Sequence, residues 1–440
     1  MGRVEAILPV PKPRSWAVPG RVVSAIATGC CRLMVAGVLG QGAAQAAVVT
    51  VPAAASGIAG LPSAPSGFAS AAPGLWNDPG LGAEILEGFN LATTVSGTYN
   101  SNITQSPGQA GAPALDDFIV GLGGSLGYQS KAREWTFGGT YQGSYDAYCN
   151  HPDFSGFNQS GGISGNYEGG KFNAALSLGI SRENGSNRYY GASNFIEQTR
   201  FNAGLTSRYR LSPKTTLTGE VAQSFATASG GNYDNTNTFS LGTAALWRYS
   251  PLTEFGPGIR YTADSGAGHN PRTTIGPTVT VNYKLSSRVA MNSRLGLDIA
   301  NHAGGGSSDP SLSAVIGLNY RASQLWGMNF SLFRDAQADP TVAGRYSEIT
   351  ALRLGYQRKI RRATLNLGVG YETNRSLNAG SSAGGASSDQ DYLSLDGSLG
   401  MAVFSNTTMA SIFLRYNDQR AGAADSFDSM IVGINLSRSF

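Results

Sequence analysis

Few side chains in this sequence have the chemistry of a catalytic or metal-binding site. Its histidines are His151, His269 and His302, and each falls in a different long polar segment. An activated nucleophile needs a base within hydrogen-bond reach, and a zinc site needs three or four protein ligands. Cys149 and His151 together supply only two. The sequence therefore predicts no enzyme, no metal site and no cofactor.

The arginines are arranged more regularly, because they fall on one phase of segments in which large apolar residues occupy every second position. The candidate residues of this polar phase are Arg200, Arg260, Arg294, Arg353 and Arg415, with Glu220, Glu254, Asp298 and Asp396 as its acids. Arginines lining a water-filled path favour anions and bind carboxylates in a bidentate way. We therefore expect a weak anion preference. The alternative is that the arginines pair with acids and give a neutral wall.

Eighteen segments carry this alternation, the first over residues 89–99 and the last over 428–440. A period of two places successive side chains on opposite faces of a β-strand. The phase opposite the apolar one consists mostly of small residues with few charges. Such a face does not suit the exterior of a soluble sandwich, but it suits a wide, wet lumen.

The connections between these segments alternate in length. They are short after even-numbered segments, as at 168–171 and 211–214, and long and polar after odd-numbered ones, as at 100–115 and 372–390. Bacterial transmembrane barrels have short periplasmic turns and longer extracellular loops. Residues 89–440 are therefore predicted to form an all-β, antiparallel up-and-down transmembrane β-barrel of about 18 strands. Asp264 and Asp335 are assigned to its long outer loops.

The short-turn side has two further features. Tyrosines recur on the apolar phase near the ends of even-numbered segments, as expected of an aromatic girdle at the headgroup level. Basic residues occupy the turns, most densely at Arg358, Lys359, Arg361 and Arg362. We interpret this periplasmic rim as a solvated surface beside anionic lipid headgroups, or alternatively as a docking surface for a periplasmic partner.

The N-terminal part has the pattern of a targeting segment followed by a linker. Residues 1–46 combine scattered basic residues, an apolar run over 33–40 and an Ala44-Gln45-Ala46 cleavage site, which together predict a secretory signal peptide. A lipoprotein site at Cys30 is the alternative. Residues 47–88 are rich in Ala, Gly, Pro and Ser without periodicity, and they predict a flexible periplasmic leader.

Composition excludes several other classes of protein. Charged residues make up 14% of the 440 residues and the formal net charge is +4, which is too mild for a nucleic-acid-binding protein. Aromatic residues make up 10%, whereas disordered chains have few of them. Glycine is abundant at 59 residues, or about twice its usual share.

The final segment, Met430-Ile-Val-Gly-Ile-Asn-Leu-Ser-Arg-Ser-Phe440, ends its apolar phase on Phe440. It resembles the C-terminal strand of bacterial outer-membrane proteins, in which the terminal aromatic residue is recognised by the barrel-assembly machinery. Arg438 departs from that pattern, because an apolar residue or tyrosine is common there.

More widely, the opening Phe89-Asn-Leu-Ala-Thr-Thr-Val-Ser-Gly-Thr-Tyr-Asn-Ser-Asn102 and the eighteen-segment layout resemble the β-barrel porin 2 family. This resemblance implies an outer-membrane channel that passes polar solutes or an exported exopolysaccharide. Its partners would be outer-membrane lipids, lipopolysaccharide and a periplasmic polysaccharide-export protein, with no nucleic acid. The alternative function is a structural or adhesive barrel with a plugged lumen.

Overall fold

A computed structural model describes residues 88–108, 113–186, 195–229, 235–266, 271–286, 288–302, 310–338, 346–376, 389–404, 407–421 and 426–440. The predicted signal peptide, residues 1–46, and the predicted leader, residues 47–88, lie outside these ranges except for Gly88, as does His269. Those interpretations stay predictions.

The described part of the chain is almost entirely β-strand. The strands are β1 (Phe89–Asn100), β2 (Asp117–Ala132), β3 (Trp135–Tyr148), β4 (Gly156–Glu168), β5 (Phe172–Ser186), β6 (Phe195–Arg210), β7 (Thr215–Ser229), β8 (Thr236–Ser250), β9 (Thr253–Gly266), β10 (Arg272–Ser286), β11 (Val289–His302), β12 (Ser311–Arg321), β13 (Trp326–Ala338), β14 (Tyr346–Ile360), β15 (Ala363–Ser376), β16 (Gln390–Ala402), β17 (Thr408–Arg420) and β18 (Phe427–Ser439). A single 3₁₀ turn, Pro152–Phe154, follows β3. None of the described residues forms a helix long and apolar enough to cross a membrane.

Each strand pairs antiparallel with the next one in sequence, and β1 pairs with β18 to close the sheet. In this closing pair Val95 lies opposite Leu436, and Asn100 lies opposite Ile431. The prediction of an eighteen-stranded up-and-down barrel, closed by its first and last strands, is confirmed.

The apolar phase of the strands faces outward. Leu122 is 50% exposed, Ile163 62% and Ile434 61%, and large apolar side chains with similar exposure occur on strands all round the barrel. A soluble protein would not leave such a continuous apolar surface in water. An outward apolar band on a closed antiparallel barrel is typical of proteins of the bacterial outer membrane, and this chain is an outer-membrane β-barrel.

Aromatic side chains cluster on the outer surface near the short turns. Trp135 lies 4.8 Å from Tyr167 between ring centroids, and Trp326 packs edge-on against Tyr320 at 5.5 Å. Amphipathic rings favour the headgroup level of a membrane. The predicted aromatic girdle is therefore present, and it marks the periplasmic boundary of the barrel.

The end of β18 is fixed by both backbone and side-chain contacts. The Phe440 N–H donates to the Leu91 carbonyl at 2.8 Å, and the Arg438 guanidinium lies 5.1 Å from the centroid of the Phe440 ring. Arg438 thus covers an aromatic ring at the rim, which accounts physically for an arginine at this position.

We expect deletion of Phe440 to reduce the amount of folded barrel in the outer membrane severalfold, because the last ladder hydrogen bond and the terminal ring are both lost. Heat-modifiable gel mobility of membrane fractions measures the folded amount. Phe440→Tyr is the matched control and should assemble normally. Wild-type levels of folded barrel without Phe440 would contradict the assignment of this residue as an assembly signal.

Candidate functional site

The structure places all seven predicted lumen residues on inward-facing positions. Arg200, Arg260, Arg294, Arg353 and Arg415, together with Asp298 and Asp396, alternate with exposed apolar neighbours such as Phe201, Ile259, Leu295 and Leu414. These are the positions that the period-two pattern assigns to the polar phase. Which acid each arginine contacts depends on the shape of the wall.

Two Gly-Pro pairs bend the wall on neighbouring strands. Gly256-Pro257 lies in β9, where pairing with β8 is interrupted between Gly258 and Phe255. Gly276-Pro277 lies in β10, where pairing with β11 is interrupted between Ile275 and Thr278. Proline has no N–H to give to the ladder.

The glycine of each pair permits a close approach of backbones. A Cβ added at Gly256 would overlap the Ala245 carbonyl, and one added at Gly276 would overlap the Leu297 carbonyl. The wall is creased as a result, and some Cα atoms of β9 and β13 lie within 8 Å although three strands separate them in the sheet.

Arg260 joins the two sides of this crease. Its guanidinium contacts the Asp335 carboxylate at 2.5 Å and lies 3.6 Å from that of Asp298. The three side chains are only 14%, 13% and 6% exposed, in the order Arg260, Asp335, Asp298. One arginine therefore compensates two nearly buried carboxylates, which would otherwise carry a large desolvation cost.

Two further ion pairs cross from one strand to a distant one. Arg294 on β11 contacts Glu220 on β7 at 2.7 Å, and Arg208 on β6 contacts Glu254 on β9 at 2.5 Å. Glu254 also contacts Arg248 on the neighbouring strand β8 at 2.9 Å. Neighbouring strands are about 4.8 Å apart, so four strand steps cover about 19 Å of wall. Glu220 and Arg294 meet because the wall between them is bent.

The remaining candidates differ in their partners. Arg415 contacts Asp396 at 3.2 Å, and Arg200 lies 3.5 Å from the Gln198 side-chain oxygen. Arg353, near the middle of β14, is exposed to the lumen, and no carboxylate among the described residues forms an ion pair with it. The alternative of a neutral wall thus holds for Arg260, Arg294 and Arg415, which contact carboxylates. Arg353 stands outside it.

Sequence reasoning was wrong about several acids. Asp264 and Asp335, assigned to outer loops, lie within β9 and β13. Asp335 binds Arg260, and the buried Asp264 accepts a hydrogen bond from the Thr238 hydroxyl at 2.8 Å. Because Asp is uncommon in strands, the sequence alone does not distinguish an aspartate at a strand end from one in the adjoining loop. The strands here extend past the apolar band, where carboxylates can face inward.

The two ends of the lumen consequently differ in charge. Acids occupy inward positions at the extracellular ends of strands, as at Asp146, Asp264 and Glu372. Arginines occupy inward positions near the periplasmic ends, as at Arg210 and Arg321. A solute entering from the periplasm meets positive charge first.

His151 belongs to a structural contact at the outer rim. The fully buried Asp117 carboxylate accepts the backbone N–H groups of Asn150 and His151 at 2.9 and 2.8 Å, and it lies 3.0 Å from the His151 Nδ1. The neighbouring Phe154 packs on Phe195 at 4.6 Å. These contacts order the loop after β3. No cluster of three potential metal ligands occurs among the described residues.

The periplasmic rim residues occupy one hairpin. Arg358 and Lys359 end β14, and Arg361 and Arg362 form the turn to β15. All four are exposed, and Arg361 adopts a left-handed backbone conformation with φ of 55°. The turn therefore exposes all four charges at the short-turn end of the barrel.

Comparison with protein-family models and with curated proteins finds no match. Among solved structures, the chain is similar to the outer membrane protein OpdK of Pseudomonas aeruginosa, with 12% identity, a TM-score of 0.42 and coverage of 81% of this chain and 100% of that one. It is also similar to the FrpB iron transporter of Neisseria meningitidis, with 11% identity, a TM-score of 0.42 and coverage of 81% and 82%. With OccAB3 of Acinetobacter baumannii the identity is 11%, the TM-score 0.39 and the coverage 80% and 99%.

We expect Arg260→Met to lower the free energy of unfolding by about 3 kcal/mol, because it removes the cation that contacts both Asp298 and Asp335. Urea titration of the barrel refolded in lipid vesicles measures this change. Arg353→Met is the matched control, and it should alter stability by less than about 0.5 kcal/mol, since that side chain has no acidic partner. Equal stability of the two variants would contradict the role assigned to Arg260.

Proposed function

We propose that this barrel is a channel for polar solutes with a weak preference for anions. The observation that carries the proposal is Arg353, an exposed guanidinium facing the lumen near the middle of the membrane span with no carboxylate partner among the described residues. A charge at that depth is costly against lipid but is tolerated in water. Positive side chains in a pore attract anions.

The lumen residues support an aqueous path. Eighteen strands enclose enough space for an aqueous channel. The inward positions of β2 and β3 are mostly small or hydroxylic, including Gly123, Ser125 and Thr140, and those of β15 include Gly368 and Gly370. Small side chains leave the space inside the wall to water.

We further propose an acidic exopolysaccharide leaving the periplasm as the solute. The resemblance to the β-barrel porin 2 family supports this choice. The basic periplasmic end of the lumen supports the direction, because it would concentrate an anionic chain where the chain enters. Arginine also recognises carboxylate groups in a bidentate way. A periplasmic polysaccharide-export protein would dock on the rim formed by Arg358, Lys359, Arg361 and Arg362.

A structural barrel with a closed lumen is the second candidate. It is favoured by the burial of inward side chains at the extracellular ends of strands, among them Asp264, Arg272 and Gln419. Single-channel recording separates the two functions, since a closed barrel does not conduct ions.

We expect purified wild-type protein in a planar bilayer to show, in a salt gradient, a reversal potential whose sign indicates anion preference. Arg353→Glu should move the reversal potential toward cation preference, and Arg294→Glu/Arg353→Glu should complete that change. Arg182→Glu, on the outward phase at the outer rim, is the matched control and should leave selectivity unchanged. Clear cation preference in the wild type would contradict the anion preference proposed from Arg353.

We expect serine at positions 358, 359, 361 and 362 to weaken co-purification of a periplasmic partner with the barrel, because the positive turn is removed while the hairpin backbone is kept. Affinity isolation from membranes followed by mass spectrometry measures the bound partner. Serine at Lys131 and Arg133, in another basic turn, is the control. An unchanged partner yield in the fourfold variant would contradict docking at this rim.

A further inference from the structure

Amide side chains follow one another on the inward face of six neighbouring strands. We call this set the amide arc, and its members are Asn282, Asn292, Asn319, Asn329, Gln357 and Asn366, on β10 to β15. Asn282 lies directly opposite Asn292, Asn319 opposite Asn329, and Gln357 opposite Asn366. Between these pairs, glycines occupy the directly opposite positions: Gly317 opposite Asn292, and Gly355 opposite Asn329.

The amides of the arc face the lumen with their hydrogen-bonding groups accessible. Asn292, Asn319, Asn329 and Gln357 are exposed. Among the described residues, none makes a hydrogen bond to the side chain of Asn282, Asn292, Asn319 or Asn329. Each primary amide offers two donors and an acceptor with two lone pairs. These donors and acceptors are available to a molecule that occupies the lumen.

Amides near the extracellular end of the lumen are used differently. The Asn417 side chain accepts a hydrogen bond from the Tyr392 hydroxyl at 2.7 Å and donates to the Ser429 hydroxyl at 3.2 Å. Asn158 donates to the Asp146 carboxylate at 2.8 Å. Inward amides at the extracellular end therefore hold the wall together. In the arc Asn366 has such a contact, to the Ser398 hydroxyl at 3.2 Å, whereas Asn282, Asn292, Asn319 and Asn329 have none among the described residues.

The sheet also makes room for these side chains. A Cβ at Gly355 would overlap the Asn329 Oδ1, so Asn329 lies over a strand position that has no side chain. Six neighbouring strands span about 24 Å of wall at the usual strand spacing. The arc is thus a broad hydrogen-bonding surface of neutral side chains around one side of the lumen. On its extracellular side Arg294 on β11 is neutralised by Glu220, and on its periplasmic side Arg321 follows Asn319 on β12.

We propose that the amide arc is a binding site for the hydroxyl groups of a carbohydrate chain within the lumen, an inference that rests on the proposed channel function. A sugar hydroxyl both donates and accepts a hydrogen bond, as a primary amide does, so neighbouring hydroxyls can be bound by successive amides of the arc. The arc recognises the hydroxyls through neutral groups. Arg353 acts separately on acidic substituents.

The test uses the full-length barrel refolded in a detergent without sugar groups, with the neutral oligosaccharide maltohexaose as the probe. Saturation-transfer NMR measures binding, and block of single-channel current measures occupancy during conduction. Asn319→Leu/Asn329→Leu removes two opposed amides at nearly constant volume, and it should weaken binding about tenfold. Asn202→Leu changes an exposed inward asparagine on β6, outside the arc, and should leave binding unchanged.

A second variant and a second probe keep the proposal open to contradiction. Heat-modifiable mobility verifies folding, and if the double variant does not fold, Asn292→Leu should weaken binding severalfold. Polyethylene glycol of equal size accepts hydrogen bonds but donates only at its ends, so it should not compete with maltohexaose. Equal binding of maltohexaose by the arc variants and the Asn202 variant would overturn the proposed binding site. Competition by polyethylene glycol would also overturn it.

The experiments distinguish failure of the proposed binding site from failure of the proposed channel function. A barrel that conducts ions but does not bind maltohexaose overturns the arc and leaves the channel standing. A barrel that binds maltohexaose through the arc but conducts no ions overturns the channel and retains the binding site.

Discussion

The structure depends on one constraint: every backbone N–H and C=O within the hydrocarbon must find a partner in the sheet itself. An open edge would leave a row of unsatisfied polar groups in lipid. Pairing of β1 with β18 removes that edge. In the closed sheet, successive side chains of each strand face the lipid and the lumen in turn. The apolar exterior, the small polar interior and the aromatic girdle all follow from this alternation.

The same constraint explains why irregular backbone occurs only where a neighbouring surface can accommodate it. Pro257 and Pro277 interrupt the ladder in adjacent strands, and each is preceded by a glycine that lets another backbone approach. The resulting crease brings Arg260 to Asp335 and Asp298. Ion pairs therefore cross-link this part of the wall, and on some of the same strands, nearer their periplasmic ends, the amide arc presents neutral groups to the lumen.

The fold could be predicted almost completely from the sequence, because strand number and facing follow from a period of two that persists for 350 residues or so. The inward positions of Arg294 and Arg353 followed from the same pattern. The ion-pair partners of the lumen arginines could not be predicted from that pattern. Asp335 reaches Arg260 only because the wall is bent, and no pattern in the local sequence indicates how far the barrel wall bends. The amide arc was also missed, since Asn282, Asn319 and Asn366 become neighbours only once the registers of six strands are known.

The two ends of the lumen carry fixed charges of opposite sign, so the barrel has an electrical polarity along its pore axis. With acids such as Asp264 and Glu372 at the outer mouth and arginines such as Arg210 and Arg321 at the inner one, the fixed charges form a dipole along the pore axis. Counter-ions of opposite sign accumulate at the two mouths, so a voltage of one polarity fills the pore with carriers and the reverse polarity depletes it. Ion current should therefore rectify, and the sign of that rectification reports which way round each molecule has inserted.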